Sequence, residues 1–427
     1  MKIFCCKFFI SLCLIILSAP ALRAVEPAAS VQFNGATPLQ WSVRMADSEM
    51  ARRGDSLTWK AGGTAKWDYT TGLFTLTLLK LNEYVPDASY VRFATNAIGS
   101  FISNYNVREV SIDNLQVSDS ASIRGYTVEE YQLDALNSGK TALALWQLTQ
   151  DERYEKCATL LRKQLDTQPR TSDGGFWHKQ RYPNQMWLDG LYMEAPFYAE
   201  CAKLFNTPKD FDDVAKQFQL VDQHLYDAKS GLFYHGWDSA KAQGWANPAT
   251  GASSNFWGRA VGWYAMACVD VLDFLPANHP ARKEIIAELK KVSDGIVKWQ
   301  QADSGLWWQV MDQGNRKGNY LEATAAAMFV YAMAKGVNHG YLARDYVPAI
   351  LKGYSGIITK LVKTDGDKTS LTQCCQVAGL GVFDEKNRDG SFKYYVSEPI
   401  VENDLKGVGP FILAGIEVQQ LVGSPAK

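Results

Sequence analysis

The chain has 427 residues with 44 Lys and Arg against 45 Asp and Glu, a net charge of −1, and its basic residues are scattered, which argues against nucleic acid as a partner. Eight Cys and five His show no zinc-type spacing, so no metal site is expected. No phosphate-cradling loop, dinucleotide-binding glycine run or Gly-x-Ser-x-Gly elbow is present, so no cofactor is expected either.

Lys2 and Lys7, an apolar run over 8–17, and small residues around Ala19-Pro20-Ala21 and Ala24 make residues 1–24 a secretory signal pattern. The run is too short to span a bilayer, and Cys13 follows Ser11 and Leu12, not the small residues that would precede a lipid-anchored cysteine. A periplasmic or secreted protein without membrane anchor is therefore expected, cleaved near Ala21 or Ala24. Cys157, Cys201, Cys268, Cys374 and Cys375 remain after cleavage. An odd number makes no tidy disulfide framework, and most should be buried small apolar residues. Residues 25–38 read as an extension ahead of one domain over 39–427, since no Pro, Gly or Ser-rich linker and no charge run interrupts that stretch.

Helical spacing of apolar residues predicts twelve segments, over 38–53, 68–84, 86–105, 129–149, 151–167 and 186–204, then 208–226, 256–275, 279–299, 320–337, 343–363 and 406–422. Short links alternate with long ones. The long links carry turn residues followed by aromatics, as in Asp173-Gly174-Gly175-Phe176-Trp177, Ser230-Gly231-Leu232-Phe233-Tyr234, Ser304-Gly305-Leu306-Trp307-Trp308 and Asp389-Gly390-Ser391-Phe392-Lys393-Tyr394, each read as a small turn or hairpin. Six helical hairpins with all long links at one end predict an all-α (α/α)6 barrel. An open helical array is the alternative, because helix counts do not show closure.

In a barrel of this kind the helices entered from long links begin at one rim, where unpaired N–H groups favour acidic or hydroxyl-rich ligands. Asp189 stands there in Gln185-Met186-Trp187-Leu188-Asp189-Gly190, a run poor in charge. Desolvation would raise its carboxyl toward neutrality, as proton transfer near pH 7 requires, although an Asp before an apolar helix also reads as an N-cap. Asp134 is its natural partner, since two carboxylates across a pocket push their pKa values apart; it too reads alternatively as a cap. His235 and His178 follow the Gly231 and Gly175 turns and read as scaffold or as site residues. Arg259, in Phe256-Trp257-Gly258-Arg259-Ala260-Val261-Gly262-Trp263, offers a guanidinium fork to a carboxylate or to a structural Asp. Trp187, Trp257 and Trp263 read as sugar-ring walls or core fillers.

Four stretches carry a family resemblance: Leu133-Asp134-Ala135-Leu136-Asn137-Ser138-Gly139-Lys140, Gly174-Gly175-Phe176-Trp177-His178-Lys179, Met186-Trp187-Leu188-Asp189-Gly190, and Trp257-Gly258-Arg259-Ala260-Val261-Gly262-Trp263-Tyr264. In these the chain resembles glycoside hydrolase family 105, the unsaturated rhamnogalacturonyl hydrolases, and more distantly the unsaturated glucuronyl hydrolases of family 88. The resemblance implies an (α/α)6 barrel and, as substrate, a small lyase-generated oligosaccharide capped by a 4,5-unsaturated uronic acid. It implies that Asp189 protonates C4 of the double bond while water adds at C5, with Asp134 holding sugar hydroxyls and tuning Asp189. His235, Arg259, Trp187, Trp257, Trp263, His178 and Lys179 fall in the substrate pocket by the same resemblance. Rhamnogalacturonan fragments are the leading substrate, with ulvan-derived or other uronides as rivals. Two other classes of reading compete. A non-catalytic glycan-binding barrel would need no near-neutral acid, and a sugar epimerase on this barrel would be expected to use two histidines.

Overall fold

The computed structural model describes residues 31–54, 57, 67–103, 130–383 and 386–423. The signal pattern at 1–24 and residues 25–30 of the extension lie outside them. The helices are α1 (Pro38–Arg53), α2 (Tyr69–Tyr84), α3 (Ala88–Ser103), α4 (Leu133–Thr149), α5 (Glu152–Thr167), α6 (Gly190–Leu204), α7 (Asp210–Leu225), α8 (Gly258–Val271), α9 (Ala281–Lys298), α10 (Ala323–Asn338), α11 (Val347–Gly356), α12 (Phe392–Ser397) and α13 (Leu405–Gly423). Local chemistry sets many of the starts. Thr37 and Gln40 form a reciprocal capping box ahead of Pro38, and the side chains of Asp68, Asp151, Glu322 and Ser391 each accept a backbone N–H from the first turn of the next helix.

The ring closes. Helix α2 packs on α4, α4 on α6, α6 on α8, α8 on α10, α10 on α13, and α13 back on α2. The remaining long helices form an outer layer: α3, α5, α7, α9 and α11 each lie against the inner helix before them in the chain, and α1 against α13. Position explains composition. Inner helices are apolar on nearly every side, as in α10, buried from Ala323 to Val337, whereas outer helices such as α5, α7 and α9 bury one stripe and expose the other. This is the (α/α)6 barrel. The five cysteines among the described residues are free and buried, and no helix among those residues is long and apolar enough to cross a membrane.

Two predicted segments need correction. The helix expected from 186 starts at Gly190, because Gln185–Trp187 is a strand. The segment over 343–363 is a 3-10 turn (Arg344–Tyr346), α11, a wider π turn (Ile357–Leu361), and then a strand, Val362–Asp365, paired with Lys368–Leu371. The expected turn at Asp389-Gly390 is present, with Gly390 at φ 66°, and the chain runs from it into α12, which Ser391 caps by accepting from Tyr394 N.

Candidate active site

A two-stranded sheet assembles the rim from which the inner helices start. Gln185–Trp187 pairs antiparallel with Gly236–Asp238, setting Trp187 opposite Gly236. One residue further, Leu188 N donates to His235 O at 2.8 Å. The sheet thereby lays Asp189 beside His235 although 46 positions separate them in sequence. A third segment is stitched to it, since His178 N donates to Gln185 O at 2.9 Å while His178 O accepts from Leu133 N at 3.1 Å. His178 and Lys179 are thus fixed between the start of α4, which carries Asp134, and the strand leading to Asp189.

Asp189 occupies the N-cap position of α6 without capping it. Its backbone is already helical, at φ −69° and ψ −24°, and its side chain accepts no helix N–H. Oδ1 is buried without any hydrogen-bond partner, and the side chain is 13% exposed. Burial, reinforced by the charge of Asp134, pushes the Asp189 carboxyl up to about 7. The group therefore stands half protonated at neutral pH, the condition for giving and recovering a proton.

Asp134 takes the opposite state. Burial alone would raise it, but the Lys179 ammonium at 2.5 Å from Oδ2 holds the carboxyl below its ordinary value, while His178 Nε2 lies 3.6 Å from Oδ1. Two neighbouring carboxyls are thus separated into an acid and an anion. Lys179, expected on the substrate side, is engaged with Asp134.

Both histidines are neutral. Burial drives His178 down to about 3 and His235 well below its usual range, the latter helped by the charges of Arg259 and Arg388. His235 Nδ1 shares a 2.8 Å hydrogen bond with the Tyr395 hydroxyl, and its unpartnered Nε2 lies 3.7 Å from Asp189 Oδ1. Donation from Tyr395 to Nδ1 would put the single ring proton on Nε2, facing that oxygen. Tyr395 is the functional candidate that sequence reading passed over; it lies 160 positions from His235, and only the tertiary fold brings it near.

The aromatic residues divide. Trp187 stacks with both Tyr182, at 4.6 Å, and His178, at 4.5 Å, which fixes the histidine ring. Close packing of this stack explains two glycines. A Cβ on Gly190 would stand 2.8 Å from His178 Nδ1, and one on Gly236 would stand 3.1 Å from Cδ1 of Trp187. Trp257 and Trp263 are each 1% exposed; Trp257 packs on His235 and Tyr395, while Trp263 stacks on Tyr192 at 4.8 Å. Arg259 forms no salt bridge with a structural Asp: Nη1 donates to Cys375 O, Nε has no hydrogen bond, and the guanidinium lies 4.6 Å over the Trp257 ring. Glu322 holds this corner by accepting from Ala325 N and Cys375 N.

Known proteins match this chain along most of its length. The model of glycosyl hydrolase family 88 matches residues 41–422. A solved family 105 glycoside hydrolase from C. acetobutylicum ATCC 824 is similar with a TM-score of 0.79 and 42% identity, covering 88% of this chain and 98% of that one. The unsaturated rhamnogalacturonyl hydrolase YesR of Bacillus subtilis (strain 168) is 30% identical over 264 residues, 60% of this chain and 70% of its own. The unsaturated glucuronyl hydrolase from Bacillus sp. GL1 shares the fold with a TM-score of 0.63 at 13% identity, covering 91% of this chain and 97% of that one.

Proposed function

The chain belongs to glycosyl hydrolase family 88, and we propose that it removes a 4,5-unsaturated uronic acid from the non-reducing end of lyase-generated oligosaccharides, rhamnogalacturonan fragments first. The observation that carries this reading is Asp189, an uncapping, half-protonated carboxyl beside an ionised Asp134. A glycan-binding barrel needs no such pair, and the groups poised for proton transfer here are carboxyls and not the two histidines an epimerase would use.

In the proposed reaction Asp189 delivers its proton to C4 of the enol ether, and positive charge develops at C5 and the ring oxygen. Water adds at C5 and returns a proton to Asp189. The hemiketal then collapses, the ring opens, and the linkage at C1 breaks as a hemiacetal, releasing a keto-uronate without a glycosyl-enzyme. An ordinary glycosidase instead protonates the glycosidic oxygen and acts at C1. Asp134 receives sugar hydroxyls and, by staying anionic, keeps the Asp189 proton in place. Arg259, buried at the same rim, is assigned to the uronate carboxylate through its charge.

The substrate choice rests on the named rhamnogalacturonyl relative. Relatives named as unsaturated 3S-rhamnoglycuronyl hydrolases, such as that of Alteromonas sp. (strain LOR) at 28% identity, support a second reading on other rhamnose-linked uronides. Export to the periplasm or beyond is part of the proposal, supported by the amino-terminal pattern of Lys2, Lys7 and the apolar run. The test is turnover of unsaturated rhamnogalacturonan and ulvan disaccharides by wild type, followed by loss of ultraviolet absorbance. Faster turnover of the ulvan fragment would move the substrate assignment, and no turnover of either would remove it.

A further inference from the structure

The opposite end of the barrel holds a cavity of about 660 Å³ to which all six inner helices contribute residues. Its size lies within the range of small-molecule sites. Tyr192, three residues past Asp189 and stacked on Trp263, is its lining residue nearest the catalytic end along α6. The helices finish toward this end, so their carbonyl termini add negative potential where the catalytic rim has positive.

The lysines and carboxyl groups in the lining are nearly all spoken for. Lys335 bonds Asp270 at 2.8 Å and Asp273 at 2.6 Å, Glu417 accepts from Asn338 at 2.7 Å, Glu200 from Gln147 at 3.2 Å, and Lys80 pairs with Glu83 at 3.0 Å. Lys140 is the exception. It is 3% exposed, its Nζ makes no hydrogen bond, and it lies 3.7 Å over the Tyr192 ring. A buried ammonium without an acceptor is a costly arrangement unless something brings an oxygen to it. Burial accordingly lowers Lys140 to about 8 against the pull of Asp270 and Glu200.

We propose that this cavity is a second, non-catalytic binding site for a neutral polyhydroxylated molecule, a mono- or disaccharide whose oxygens accept from Lys140 and whose hydroxyls donate to Glu200 and its carboxylate neighbours. The charge pattern selects this class. An anion would meet five carboxyl groups and the carbonyl ends of the helices, while Lys80 and Lys335 are already engaged by Glu83, Asp270 and Asp273, so the acidic sugar handled at the catalytic rim is disfavoured here. A cation would leave Lys140 without an acceptor and add a like charge beside it. A neutral sugar satisfies both kinds of group, and its C–H faces meet Leu73, Phe274 and Ile416. Lys140 Nζ is drawn from the Tyr192 face toward the ligand by rotation of its terminal bonds.

The test is isothermal titration and saturation-transfer NMR of the full chain with L-rhamnose, D-galactose and, as the acidic counterpart, methyl β-D-glucuronide. Wild type and Asp189→Asn should bind a neutral sugar with equal affinity, while Lys140→Met weakens it by about tenfold or more and leaves turnover at the other end unchanged. Glucuronide binding should be the same in wild type and Lys140→Met. Should Lys140→Met fail to fold, Ala144→Phe, which narrows the cavity from a partly buried position, carries the same expectation. Failure of both neutral sugars to bind wild type, unchanged affinity in the folded variants, or preferential capture of glycine betaine overturns the proposal. None of these outcomes bears on Asp189.

Discussion

Replacing Asp189 with Asn removes the proton while keeping the shape, and the structure sets what this does to stability as well as to turnover. The carboxyl moves from an ordinary 3.8 to about 7 on folding, so the folded state binds the proton more tightly. Its stabilising contribution is full below pH 3.8 and is lost as pH rises through about 7. Between pH 5 and pH 8 the loss amounts to about 2.5 kcal/mol, at roughly 1.36 kcal/mol per unit. Asn carries no such dependence. The melting temperature of Asp189→Asn relative to wild type should therefore rise by about 3 °C between these two pH values, given the unfolding entropy expected of a chain this long. Differential scanning calorimetry on both proteins at both pH values measures the double difference, in which the other titrating groups cancel. A gap that does not change with pH would refute the claim that Asp189 is a desolvated acid.

Three further substitutions probe its surroundings. Asp134→Asn removes the anion that helps hold the proton on Asp189, so the alkaline limb of the pH–kcat profile should move to lower pH; an unmoved limb would uncouple the two carboxyls. Tyr395→Phe leaves His235 Nδ1 buried without a partner, which should cost about 1–3 kcal/mol in urea unfolding and lower kcat more than it raises KM. Gly190→Ala sets a Cβ 2.8 Å from His178 Nδ1, so it should disturb the His178–Trp187 stack and destabilise by about 1–3 kcal/mol, read by Trp fluorescence and thermal melting.

Helical periodicity and the alternation of link lengths were enough to read the barrel, because inner and outer helices each announce themselves by apolar spacing and Gly-aromatic turns mark one end. Closure was not legible, since it resides in the packing of α13 on α2, more than 300 residues apart in sequence. The start of α6 was misread because Met186, Trp187 and Leu188 continue its apolar pattern, and only pairing with Gly236–Asp238 makes strand of the first two. Asp189 stood out by its apolar flanks. Its partner His235 stood out by following a turn, but Tyr395 carries no local signal and is defined by a single long-range hydrogen bond. Lys179 stood out only through its motif, and its bond to Asp134, which holds that carboxyl below its ordinary value, came from the fold. Lys140 sits in the same motif as Asp134, about 1.7 helical turns along, and faces a different cavity.

The central claim is that Asp189 protonates the carbon of a conjugated double bond. Stopped-flow ultraviolet absorbance with an unsaturated uronide disaccharide tests it most directly. Wild type should bleach the double bond, while folded Asp189→Asn should bind the same disaccharide and leave its absorbance intact. Near-wild-type bleaching by Asp189→Asn, or wild type that leaves the absorbance unchanged across a panel of unsaturated uronides, would contradict it.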